Sequence, residues 1–166
     1  MSEFPDVPPV RSRRHLPVVS LVVGLVALVV DQLSKHWAVS SLNDGHVVHV
    51  LWTLQFNLSF NGGMAFGRGK GLGPIIGVVA TVVVVTLVLS LKRTDTRLQK
   101  VAVGLIIGGA VGNIADRLFR GDAWLHGEVV DFIDLQWFAI FNVADACINI
   151  GGAILVISYL VGSRHE

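Results

Sequence analysis

The chain has 166 residues, of which 52% are hydrophobic and only 15% charged; 13 Lys and Arg against 12 Asp and Glu give a formal net charge of +1. With a mean hydropathy of +0.66 it is too apolar for an ordinary soluble domain, so a bilayer is the expected solvent. There is no basic stripe beyond short loop clusters, which argues against a nucleic-acid partner. The single cysteine, Cys147, excludes an intramolecular disulfide and a multi-cysteine metal site, and reads as a small buried side chain.

Residues 1–15, MSEFPDVPPVRSRRH, are polar and carry prolines, the composition of a mobile cytoplasmic tail. Residues 16–166 are expected to form one domain with four apolar helices at about 16–37, 72–91, 101–119 and 137–161, each close to the ~20 residues that cross a bilayer. The first ends in DQLSKHW with no small-x-small cleavage site, so it reads as a permanent helix and not as a removed signal peptide. Residues 54–60, LQFNLSF, alternate apolar with polar as a strand does, and NGGMAFGRGKGLG follows. Together they predict a small extended platform on the outer membrane surface, able to pair with an extended peptide. The second helix carries no charge. The third places Gly104, Gly108 and Gly112 four residues apart, a smooth face for close helix approach, and Gly151 and Gly152 of the fourth are expected at the same contact. The fold class is thus an all-α membrane protein: a four-transmembrane-helix bundle with a small extended or β platform on its outer, extracytoplasmic face.

Orientation follows from basic residues near the helix ends. Arg11, Arg13, Arg14, Lys92, Arg93, Arg97, Lys100 and Arg164 put eight on one face, against five (Lys35, Arg68, Lys70, Arg117, Arg120) on the other. Both termini are therefore expected in the cytoplasm. Trp37, Trp52, Trp124 and Trp137 all fall at or beyond the outer helix ends, where indole rings favour the headgroup region.

Ionisable residues inside a bilayer are costly and need a partner or a job. Here they share one level. Asp31 and Lys35 lie four apart on one face of the first helix, which predicts an ion pair closing its outer end. GNIADR, at the outer end of the third, supplies Asn113 and Asp116 on one face and then Arg117, an arginine able to hold a neighbouring acid ionised or clamp a carbonyl. Asp145, with Asn142 before it, is expected about two helical turns below Trp137. Asp131 sits among Val129, Val130, Phe132 and Ile133, surroundings that raise a carboxyl pKa by desolvation. Asp134 and Glu128 read as solvated interface residues.

Two carboxylates in a poorly solvated site tend to share one proton, leaving one as a base for water and the other as an acid at a carbonyl. Asp131 and Asp145 are far enough apart in sequence for the chain to turn back and join them; Asp116 is the competing partner. Nucleophile chemistry fits less well. Ser34, Ser59 and Ser90 lack a glycine elbow, and His36, His46, His49 and His126 lack HExxH-like spacing, although His46 and His49 could join acids at a metal. A proton-coupled transporter would also use intramembrane acids, but it needs polar residues through both leaflets, and the second helix and the inner halves of the third and fourth offer almost none. A scaffold of glycine-faced helices leaves the convergence of acids and amides unexplained.

Five ordered blocks, DQLSK (31–35), NGGMAF (61–66), GGAVGNIADR (108–117), VVDF (129–132) and FNVAD (141–145), resemble those of the lipoprotein signal peptidases, or signal peptidase II, a bacterial family of intramembrane aspartic proteases. The resemblance implies a multi-pass protein of the bacterial inner (plasma) membrane, with cytoplasmic termini and its active site toward the outer leaflet. It implies that Asp131 and Asp145 are the catalytic dyad. Asn61, Asn113, Arg117 and Asn142 would line the substrate groove, Asp31 and Lys35 would support it, and Asp116 would hold the polar network. The implied substrate is a prolipoprotein whose lipobox cysteine already carries diacylglyceryl, cut just before that cysteine. No metal or organic cofactor is implied, membrane lipid is the surrounding partner, and a monomer is expected. Met64 stands where alanine is usual and the link between VVDF and FNVAD is short, features that bear on substrate preference.

Overall fold

A computed structural model describes residues 17–63, 71–91 and 96–162. The tail at 1–15, with Arg11, Arg13 and Arg14, lies outside the described residues, as do Met64, Arg68, Lys70, Lys92, Arg93 and Arg164. The elements are α1 (Val18–Leu42), β1 (Val48–Leu51), β2 (Leu54–Asn61), α2 (Gly73–Ser90), α3 (Arg97–Phe119), β3 (Val129–Asp134) and α4 (Val143–Gly162). All four helices are long and apolar enough to cross a membrane. Their outward faces carry residues such as Leu25, Leu33, Val82, Leu89 and Val156, all exposed, which is what a lipid-facing surface requires.

Two helix ends differ from expectation. α1 continues past Trp37 to Leu42 because Ala38 and Leu42 leave the lipid-facing pattern and pack with Phe132 against the sheet, joined by Phe56, Leu58, Ile133 and Val143. Asp31 and Lys35 are therefore interior to the helix and do not close its end. α4 starts at Val143, not Trp137. Residues 135–142 instead form a loop in which Gln136 has φ 67° and donates its backbone N–H to Asp134 Oδ1 at 2.7 Å, while Phe141 bonds back to Ile133. Trp137, 72% exposed, rides on that loop, so Asp145 lies in the first turn of α4 and not two turns below it.

The platform is a three-stranded antiparallel sheet in the order β1-β2-β3. β2 matches the alternating stretch; β1 and β3 were not anticipated. Gln55 lies opposite Asp134, Ser59 opposite Asp131 and Asn61 opposite Val129, with an irregularity between Phe56 and Ser59. This pairing draws the α1–α2 and α3–α4 connections together at one end of the bundle. β3 is buried along nearly its whole length, so it shows no period-two pattern to read.

α3 is the central helix and contacts the other three. A Cβ on Gly108 would lie 2.3 Å from the carbonyl oxygen of Gly24, one on Gly104 2.6 Å from that of Ser20, and one on Gly112 2.4 Å from Asp31 Oδ2, so the glycine face sets the α1–α3 distance. Gly109 and Gly151 make a second close contact: their Cβ atoms would meet the carbonyls of Ala144 and Ala102, where α3 meets α4. Gly152 faces open space and takes no part in it. α2 buries only Gly73 and Gly77, the latter against Leu125 and Arg117.

Candidate active site

Lys35 is fully buried, and its ammonium uses all three donors: 2.9 Å to Asp31 Oδ2, 2.8 Å to Asp116 Oδ2 and 2.8 Å to Asn113 Oδ1. Asp31 also accepts the backbone N–H of Ala144 on its Oδ1 at 2.9 Å. The α1 pair is thus a clamp joining α1, α3 and α4. Asp116 completes it toward the sheet. Its Oδ2 accepts the Val130 N–H at 3.3 Å and its Oδ1 accepts Arg120 Nε at 2.9 Å. The cations paired with Asp116 are therefore Lys35 and Arg120, one helical turn beyond it, and not the adjacent Arg117. Gln32 adds an amide to Asp31, to Asp116 and to the carbonyl of Gly112.

Asn142 precedes α4 and caps it. Its Oδ1 accepts the Asp145 N–H at 2.9 Å, and Asp145 Oδ2 accepts the Asn142 N–H at 3.3 Å, a reciprocal capping box with aspartate at the third helical position. Because the carbonyl end of the side chain is committed to the cap, the amide nitrogen faces Asp131 and donates to its Oδ1 at 2.6 Å. One residue thereby bridges Asp131 and Asp145. Asn61 donates to Asp131 Oδ2 at 3.1 Å, held in turn by the Gly63 N–H on its own Oδ1 at 3.1 Å. Asn113 donates to Asp145 Oδ1 at 2.8 Å.

Asp131 is buried, and its pKa is pushed up to about 6, by desolvation first and then by the Asp145 charge, against the opposing amides of Asn61 and Asn142. Arg117 is 6% exposed, and its buried Nε has no hydrogen-bond partner among the described residues although Asp131, Asp145 and Asp116 all bear on it electrostatically. Buried polar groups are normally paired, so this guanidinium nitrogen beside two acids is an exception among the described residues.

Two cavities meet at this point. One, about 260 Å³, is lined by Ile76, Gly77 and Ala80 of α2 together with Ile114, Arg117 and Ile148. The other, about 550 Å³, is lined by Trp137, Phe138 and Phe141 of the loop before α4, and by Ile150. Asn61, Asp131 and Asp145 belong to both walls. The structure therefore brings all nine sequence-derived residues, Asp31, Lys35, Asn61, Asn113, Asp116, Arg117, Asp131, Asn142 and Asp145, into one connected region.

Asp134 is not a solvated turn residue. It is 7% exposed and accepts side-chain bonds from Gln55 at 2.8 Å and Asn57 at 3.2 Å, fixing the β2–β3 register. Glu128 is exposed, as expected. His46 pairs with Asp44 at 2.5 Å on an exposed face. Gln32 and Arg120 were missed, although the four-residue spacing from Asp116 to Arg120 is a readable helix signal.

Such a molecule is a polytopic membrane protein built around paired, partly desolvated carboxylates. The chain belongs to the signal peptidase II family, whose model, described as "Signal peptidase (SPase) II", matches residues 23–161. Among its relatives are the lipoprotein signal peptidases of Bifidobacterium longum, 38% identical over 84% of this chain and 77% of that one, and of Hydrogenovibrio crunogenus, 37% identical over 87% of each. A bacterial membrane enzyme solved by the in meso method at 2.3 Å resolution superposes with a TM-score of 0.79 at 25% identity, covering 92% of this chain and 94% of that one.

Proposed function

We propose that this protein removes signal peptides from prolipoproteins by aspartic-peptidase chemistry, with Asp131 and Asp145 as the catalytic pair, cutting just before a diacylglyceryl-bearing lipobox cysteine. The observation that carries this reading is the pair of acids joined through Asn142 at the wall common to both cavities. A peptide laid across that wall would have its scissile carbonyl beside both carboxyls. The ionised acid takes a proton from water as the water oxygen attacks the carbonyl carbon, while the protonated acid gives its proton to the carbonyl oxygen. The resulting gem-diol gives one hydroxyl proton to the acid that is now ionised as the C–N bond breaks, and the amine nitrogen takes up the proton held by the other acid. In this scheme Arg117 holds a peptide carbonyl during these steps, a role supported by its unpartnered Nε. Apolar linings on both sides suit a substrate that is itself a membrane segment and carries acyl chains.

The sheet end is the extracytoplasmic end in this reading, with both termini in the cytoplasm. Trp37, Trp52, Trp124 and Trp137 are all exposed in the sheet-end region, as a headgroup belt requires. Every group in the scheme comes from one chain, so the monomer suffices. The test is cleavage of a diacylglyceryl prolipoprotein peptide by purified protein. Asp131→Asn and Asp145→Asn are each expected to abolish turnover, and full activity in either overturns the dyad.

A further inference from the structure

We infer that Lys35 is a positioning residue for the dyad: it fixes the Asn113 amide so that the nitrogen end, and never the oxygen end, faces Asp145. This rests on the dyad reading above. An ammonium can only donate, so the end of Asn113 that lies 2.8 Å from Lys35 Nζ must be its oxygen. The NH2 end is then turned to Asp145 Oδ1 at 2.8 Å. An amide nitrogen can also only donate, so that carboxyl oxygen must accept. The other Asp145 oxygen already accepts the Asn142 backbone N–H, which cannot flip. Asp145 additionally stands in the first turn of α4, where helix N–H groups favour negative charge. Donors thus meet both of its oxygens, and this favours the ionised carboxylate that a base for water must be.

Without the ammonium the Asn113 oxygen keeps only the longer bond from the Asn142 amide nitrogen, 3.3 Å, and the Asn113 amide can turn far more readily. Its oxygen would then favour a protonated Asp145, as acceptor for the carboxyl O–H. The other two donors of the Lys35 ammonium are held by Asp31 and Asp116, which fix its position at full burial. The charged groups that act on Asp145 directly are Asp131 of β3 and Arg117 of α3; Lys35 of α1 reaches it through Asn113, with Asp31 and Asp116 on the far side of that ammonium, Cys147 shares its helix, and α2 carries no ionisable residue.

Removing Lys35 alone would strand two buried acids, so the test keeps the charges balanced. Asp31→Asn retains Lys35 on Asn113, whereas Asp31→Asn with Lys35→Met removes both charges and leaves Asp116 paired with Arg120. The single variant is expected to keep the wild-type acid limb of the kcat–pH profile. In the double variant that limb moves up by about one pH unit, because a donor to the ionised carboxylate is lost. On the acid side kcat therefore falls about tenfold with KM held within about twofold, since the base alone is affected. Asn113→Leu should reproduce the shift, and adding the double change to it should move the limb no further. Infrared titration of the carboxyl band that Asp145→Asn removes reads the same ionisation in any variant that does not turn over. A limb and band that stay in place, or a shift that adds to that of Asn113→Leu, overturns the inference. The dyad reading fails separately, through activity in Asp131→Asn or Asp145→Asn.

Discussion

Gly108→Ala tests whether the helix spacing holds the site together. The added methyl would lie 2.3 Å from the Gly24 carbonyl oxygen and 2.9 Å from the Ala27 Cβ. Both belong to α1, and the nearer is backbone that no rotamer can move. An ordinary carbon–oxygen contact needs roughly 1 Å more, so α1 and α3 must part by about that distance. The bonds that cross this interface are at their optimum: 2.8 Å from Lys35 Nζ to Asn113 and 2.8 Å from Ser20 Oγ to the Lys100 carbonyl. Opened by about 1 Å they pass beyond hydrogen-bonding range, which leaves a buried ammonium donor unmet. Overpacking of this kind costs about 1–3 kcal/mol. Thermal unfolding in detergent should therefore show a lowered midpoint, and cleavage should fall more steeply than stability because the lost bond feeds the dyad. Gly152→Ala is the paired control: nothing stands within 4 Å of its Cβ, and alanine is the better helix former, so stability should be equal or higher. Wild-type midpoint and activity in Gly108→Ala would refute the argument.

Asp131→Asn should be inactive yet more thermostable at neutral pH. A carboxyl raised from 3.8 to about 6 by folding destabilises the native state fully above pH 6, and the penalty is relieved as pH falls toward 3.8; the gain is at most about 3 kcal/mol and should vanish below about pH 4 in melts across that range. Asn142→Ala removes the α4 cap, worth about 1 kcal/mol, together with the bridge between the acids, so kcat should collapse while the midpoint moves only slightly. Arg120 is partly exposed and Asp116 keeps Lys35, so Arg120→Met should cost no more than about 1 kcal/mol in a melt and leave most of the cleavage rate. Asp116→Asn, which touches Lys35, Arg120 and the Val130 N–H at once, should cost clearly more.

The four helices were legible because lipid imposes a simple rule, a run of apolar residues of sufficient length. That rule stops working where the protein supplies its own apolar cover. Ala38 and Leu42 extend α1 over the sheet, and the greasy loop at 135–142 lines a cavity without being helical. β3 escaped notice for a related reason: VVDFID is buried on both faces and shows no alternation. The polar level was visible as a set of out-of-place acids and amides, to which the family resemblance added Asn61. Their partners were not visible. Lys35 meets Asp116 across 81 positions of sequence, whereas the adjacent Arg117 is left with an open Nε. Asp134 looked like a turn residue because Gln55 and Asn57, which bind it, come from the neighbouring strand β2, almost eighty positions away in sequence.

Asn142 begins a helix and holds two acids, the Asp131 carboxyl through its side-chain amide and the Asp145 carboxyl through its backbone N–H. Helix ends open more readily than any other part of a regular element. When the first turn of α4 opens, Asp145 loses its backbone tie to Asn142 and Asp131 loses its shortest donor in the same event. Asn61 still holds Asp131 and Asn113 still holds Asp145, so the two acids loosen together, each by one tie, and the fully assembled fraction is the closed fraction of one helical turn.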